Sequence, residues 1–214
     1  MTTATSSDVG RHGPFTLAVC AEMVFTDMPI SERLRHLHRL GFQTEIWDWS
    51  RHDLAELEDA VADGVVIGSM TGYLRGTLAD PEGARELLAT AEESISVAER
   101  LRVPRLNLHG TGLDAQGLPV VPCDRETGAM WARAALTLRS IADLGERHEV
   151  VFELENLNRR VDHPGVPFAT AADTLALIET IDSPHLRLNL DLYHAQIGEG
   201  NLVDLVERAM PLIG

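Results

Sequence analysis

The feature that most constrains this chain is an alternation, repeated six times, of short β-rich runs with longer stretches of helical periodicity. Strands separated by helices run parallel, because the crossover returns the chain to start the next strand in the same direction. The strand candidates are Phe15 to Cys20, Thr44 to Asp48, Val65 to Met70, Arg105 to His109, Val150 to Glu155 and Leu186 to Asp191. Their spacing suits a repeated βα unit of about 30 residues, lengthened where loops grow.

The helices between them carry start and stop signals. Ser31 reads as the cap of a helix with Leu34, Leu37 and Leu40 on one face and Gly41 at its end. Asp53 and Glu56 form a capping-box pattern, and Asp80 before Pro81 opens a helix with Leu87, Ala91, Ile95, Ala98 and Leu101 on its apolar side. Further helices are expected from Asp124 to His148, from Thr170 and Asp173 onward, and from about Asn201 to Leu212.

These elements predict an α/β chain holding about six of the eight βα units of a closed barrel. A single domain is expected over residues 14–214, preceded by a polar, disordered tail over 1–13. The last residue, Gly214, falls where a seventh strand would begin, so the reading is an incomplete barrel. An open six-stranded sheet is the alternative, and it would leave a parallel edge exposed to association.

Composition narrows the chemistry. The 33 acidic residues outnumber 18 basic ones and give a net charge of -15, which repels a nucleic-acid backbone. Every basic residue is arginine, so lysine chemistry such as Schiff bases or a phosphate-loop lysine has no place in this segment. Cys20 and Cys123 stand far apart in unlike contexts, which excludes a disulfide framework and points to a reducing, cytoplasmic setting. No apolar run approaches the roughly 20 residues of a membrane span.

Three strand ends repeat one polar pattern: Asn107 with His109, Glu153 with Glu155, and Asn189 with Asp191. Residues two apart share a face of a strand, and the carboxyl ends of barrel strands are where active sites are built. His109, Glu155 and Asp191 would line the mouth, with Asn107, Glu153 and Asn189 in a polar layer beneath. Glu153 is expected to bond across to Asn189 or Asn107. Neighbouring carboxylates repel unless a proton or a cation intervenes, so Glu155 and Asp191 are candidate ligands of a divalent metal. Oxygen donors favour magnesium or manganese, while nearby histidine keeps zinc, cobalt or iron open. The plainer alternative has both acids capping loops or pairing with Arg159 and Arg160. His194, three residues past Asp191, is placed to donate to a substrate oxygen. Trp47, with Trp49, would wall the pocket or fill the core, whereas His36, His38, His148 and His163 read as surface or packing residues.

The run Phe152-Glu-Leu-Glu-Asn-Leu-Asn158 and the later Leu190-Asp-Leu-Tyr-His-Ala-Gln196 resemble the hydroxypyruvate isomerase family, part of the xylose-isomerase-like barrel isomerases and epimerases. The resemblance implies that Glu155 is both a metal ligand and an acid/base group, that Asp191 is a ligand, and that His194 contacts substrate. His109, Trp47 and Asn158 are the further candidates for substrate contact. It implies proton transfer through an enediolate in a small hydroxy-aldehyde or hydroxy-ketone, hydroxypyruvate being the most specific choice. The expected partner is thus a small hydroxy-carbonyl compound or sugar, not nucleic acid or membrane, with a homo-oligomer left open. Three departures stand out. Ligands that the family places after strands seven and eight have no counterpart in this segment, Ser69-Met70-Thr71 lacks a histidine common in the family, and Glu153 replaces an aliphatic residue. A metal-dependent endonuclease of the same barrel type and a non-catalytic sugar-binding barrel are the competing readings.

Overall fold

A computed structural model describes residues 15–214. The tail expected over 1–13 lies outside the described residues. The described residues divide into two compact units, one of residues 15–71 with 96–105 and the other of 72–95 with 106–214.

In the first unit, β1 (Ala18–Cys20), β2 (Gln43–Ile46) and β3 (Ile67–Thr71) pair in that order, all parallel. α1 (Ile30–Arg39) and α2 (Leu54–Ala62) supply Leu34, Leu37 and Leu57 to a core shared with Ile46, Ile67 and Met70, each at most 2% exposed. Burying a side chain of this size contributes roughly 1.5–3 kcal/mol. Asp53 caps α2 by accepting from the Ala55 N–H, as its sequence position predicts. Ser31 does not cap α1: the helix starts after Pro29, and Ser31 is buried in the first turn.

In the second unit, β4 (Arg105–Leu108), β5 (Val151–Glu155) and β6 (Leu186–Asn189) follow in order. β5 and β6 run parallel with Glu155 opposite Asn189. α3 (Pro81–Leu101) begins in this unit, with Asp80 Oδ1 accepting from the Glu82 and Gly83 N–H groups. α4 (Gly128–His148) and α5 (Ala171–Ile181) pack on β5 and β6 and bury Leu138, Ile141, Leu175 and Ile178 against them. The capping box that Thr170 and Asp173 predict is present at α5.

Two helix readings change. α4 opens at Gly128 behind a Thr127 cap, not at Asp124, because the preceding residues serve the loop: Glu126 accepts from Arg159 and from the Phe168 N–H. The helix expected from about Asn201 to Leu212 forms as α7 (Leu202–Ala209) with a 3-10 turn over Met210–Leu212. A short helix that was not expected, α6 (Leu192–Gly198), precedes it, the two separated where Gly200 and Asn201 take positive φ. Ile213 then bridges Leu188 in parallel. Among the described residues no helix is long and apolar enough to cross a membrane.

Candidate active site

The site grows from the pleat of β5. Phe152 and Leu154 are fully buried, and Glu153 and Glu155 between and after them therefore share the other face. Glu155 Oε2 accepts from Asn107 Nδ2, two residues before His109, and stands 3.0 Å from His109 Nε2. Two members of the polar layer expected beneath meet each other. Asn189 Nδ2 donates to Asn107 Oδ1 at 3.2 Å, and Asn107 alone of the two amides bonds Glu155.

His109 is held from its other side. The Tyr73 hydroxyl lies 2.7 Å from the Thr111 carbonyl and 3.2 Å from His109 Nδ1. A hydroxyl has one proton, and a carbonyl can only accept, so Tyr73 donates to Thr111 and takes a hydrogen bond from the His109 Nδ1–H. The short contact between His109 Nε2 and Glu155 Oε2 then holds one further proton. Burial pushes the Glu155 carboxyl up, but the hydrogen bonds from His109 and Asn107 and the positive charge of His109 outweigh it. The group is held below the usual glutamate range, as a carboxylate.

Asp191 is not a strand residue. β6 ends at Asn189, and Asp191 caps α6, its Oδ1 accepting from the His194 N–H at 2.7 Å. Asn156 fixes it in place, since Nδ2 donates to the Asp191 carbonyl and Oδ1 accepts from the Asp191 N–H, each at 2.9 Å. The fully buried Asn156 thereby ties the loop after β5 to the loop after β6. Glu155, Asp191 and His194 each present a donor atom such that the three lie within 4.8 Å of one another. Two oxygen donors at that spacing suit a hard divalent cation, and a buried neutral imidazole beside them suits a borderline one. Burial lowers the His194 imidazole below its ordinary value despite the nearby Asp191 and Glu155 carboxylates, so the ring is neutral at neutral pH.

The remaining candidates separate. Asn158 is 1% exposed and its side-chain amide is engaged entirely within the protein. Its Oδ1 accepts from Val161 and Asp162 N–H, and its Nδ2 donates to Asp162 Oδ2 at 2.6 Å and to His194 Nδ1 at 2.7 Å. Asn158, expected at the substrate, spends both hydrogens of its amide on Asp162 and His194. Trp47 belongs to the first unit, 55% exposed after β2, with its N–H on Glu22. Arg159 bonds Glu126 at 2.9 Å and Arg160 reaches the Ile197 carbonyl, so pairing with Glu155 or Asp191 is not how these arginines are used. His163, read as a packing residue, sets its ring edge-on to His194 with 5.0 Å between centroids. Tyr73, Asn156 and Asp162 were missed because each lies in a loop whose path local pattern does not give.

A profile of the family described as "Xylose isomerase-like TIM barrel" matches residues 24–213. The chain belongs to that family. A human relative named "Putative hydroxypyruvate isomerase" is 28% identical over 123 residues, 58% of this chain and 43% of that protein. The chain thus matches less than half the length of this relative. A mouse protein of the same name is 24% identical over 94% of this chain and 75% of its own length. Among solved structures, an AP endonuclease, family 2, from Brucella melitensis superposes with a TM-score of 0.80 over 92% of this chain and 76% of its own, at 20% identity. At that identity the likeness is one of fold.

Proposed function

We propose that this barrel-family protein is a metal-dependent isomerase of small hydroxy-aldehydes and hydroxy-ketones, with hydroxypyruvate as the first substrate to try. The observation that carries the reading is the convergence of Glu155, Asp191 and His194 beside a second ring, His109, that holds Glu155 ionised. Glu155 and Asp191 would hold the ion, magnesium or manganese first, which when bound supplies polarisation of the substrate carbonyl. Glu155, kept as a carboxylate, withdraws the proton from the hydroxyl-bearing carbon beside that carbonyl and returns it to the former carbonyl carbon, while the hydroxyl proton passes to the former carbonyl oxygen. Asn107 and His109 keep the carboxylate aimed and its charge compensated while the proton moves. His194 steadies the substrate oxygen.

The human and mouse relatives support this choice of chemistry by name. The two free cysteines accord with a cytoplasmic enzyme. An endonuclease reading rests on likeness of fold alone and meets a net charge of -15, which opposes phosphate binding. The test is exchange of carbon-bound protons with solvent in short hydroxy-ketones and ketoses, with and without manganese. Manganese-dependent exchange lost in Glu155→Gln is expected; exchange that survives that substitution overturns the assignment of the base.

A further inference from the structure

His194 turns Nε2 toward the Asp191 carboxylate, 4.0 Å from Oδ2, and whether that atom offers a hydrogen or a lone pair depends on which nitrogen carries the proton, which the surrounding bonds decide. Two backbone N–H groups, of Val161 and Asp162, at 3.0 and 3.1 Å, both require an acceptor and so identify the Asn158 oxygen. The amide nitrogen is then the end that meets Asp162 Oδ2 at 2.6 Å and His194 Nδ1 at 2.7 Å. Asp162, fixed in turn by the Tyr193 hydroxyl at 3.0 Å, is a carboxylate acceptor and agrees with that orientation. An N–H donated to Nδ1 needs a lone pair there, and a neutral imidazole with its lone pair on Nδ1 carries its hydrogen on Nε2. The backbone of His194 is anchored on Asp191, and the rings of His163 and Tyr193 stand edge-on to its own at 5.0 and 5.1 Å.

We propose that Asn158, oriented by Asp162, is a positioning residue that fixes the His194 proton on Nε2. The histidine thereby offers a hydrogen-bond donor, not a lone pair, to the space beside Glu155 and Asp191. This rests on the isomerase reading for its purpose. It selects the ligand class, an oxygen that gains negative charge during the reaction, such as a ketone or alkoxide oxygen. It also assigns the ion to the two carboxylates and removes His194 from the ligand set, although one of its nitrogens lies within 4.8 Å of their oxygens.

The experiment is long-range proton–nitrogen NMR on the full chain with nitrogen-15-labelled histidine, the His194 signals being assigned by their loss in His194→Gln. A pyridine-type Nδ1 and a pyrrole-type Nε2 are expected, and both persist when Zn²⁺ alone is added. Asn158→Ala brings in the other tautomer, and Asn158→Asp, whose carboxylate can only accept, makes the Nδ1–H form the major one. A packing role alone would move neither. An Nδ1–H ring in the unaltered chain, or an Nε2 that loses its proton to Zn²⁺, overturns the proposal, and beyond the His194→Gln assignment these two measurements need no Asn158 variant to fold. Because no substrate is present, an inactive chain with the Nε2–H ring refutes only the isomerase reading, and an active chain with the Nδ1–H ring refutes only this one.

Discussion

Glu155 Oε2 and His109 Nε2, 46 residues apart in the chain, stand 3.0 Å apart at the ends of β5 and β4. Because Tyr73 already takes the His109 Nδ1–H, the imidazole can compensate the carboxylate without turning away from it. Glu155→Gln keeps the shape and removes the charge. The expected result is a loss of about 10²–10⁴-fold in turnover, the range for a positioned acid/base group, with a lower melting temperature at pH 7, because the largely buried His109 loses the carboxylate it pairs with. Initial rates of proton exchange and a thermal melt check the two halves.

Asn107 sits between two partners, giving Nδ2 to Glu155 and taking the Asn189 amide on Oδ1. Asn107→Leu strips a hydrogen bond from the buried carboxylate and leaves the Asn189 amide short of an acceptor. A cost of about 1–3 kcal/mol in unfolding free energy is expected, the penalty for unsatisfied buried polar groups. Urea denaturation measures it, and Asn107→Asp should be worse, since it sets a second carboxylate against Glu155.

The alternation of strand and helix signals was legible because it rests on local periodicity: Val150 to Glu155 was expected as a strand, and Val151–Glu155 forms one. Strand pleat also led correctly from Leu154 to a polar face carrying Glu155. What local pattern does not hold is the path of loops. Asp191 looked like the end of a strand and is a helix cap, because Asn156 from another loop binds both its backbone groups. His163 looked like packing, and only the turn that follows Asn158 brings its ring to His194. Asp124 to Glu126 carry helix-compatible residues, yet Arg159 and the Phe168 N–H draw Glu126 into a loop. In each case a contact 30 or more residues away overrides the local preference.

In the first unit, Glu22 Oε1 accepts from the Trp47 N–H and meets His52 Nε2, both at 2.9 Å. Burial pushes this carboxyl up, but the bonds from His52 and Trp47 outweigh it and the net shift is downward. Burial, then the charge of Glu22, pushes the neighbouring Cys20 thiol up to about 12. A carboxyl whose folded value lies below its unfolded one stabilises the fold above the unfolded value, and that stabilisation is lost as pH falls through the folded value. The window lies below the ordinary glutamate value of about 4.3. Glu22→Gln should therefore be less stable than the unaltered chain at pH 7, with the difference shrinking toward pH 3. Melts across that range check the sign; a difference that widens in acid contradicts it.

Gly110 follows His109, and a Cβ built there would lie 1.9 Å from the Pro167 carbonyl oxygen. No real Cβ approaches so closely, and the atom in the way is backbone, so Gly110→Ala must push the loop after β5 away from β4. The Gly110 carbonyl accepts from the Leu78 N–H and the Thr77 hydroxyl, so the displacement pulls on a second loop as well. An overpacking cost of about 1–3 kcal/mol follows. The functional cost should be larger in proportion, because His109 is the next residue along and its 3.0 Å contact with Glu155 has little slack. The expected signature is a drop of about tenfold or more in kcat, as a misplaced catalytic group gives, in protein that still melts cooperatively. Gly110→Ala with full activity would mean that the contact between His109 and Glu155 is dispensable.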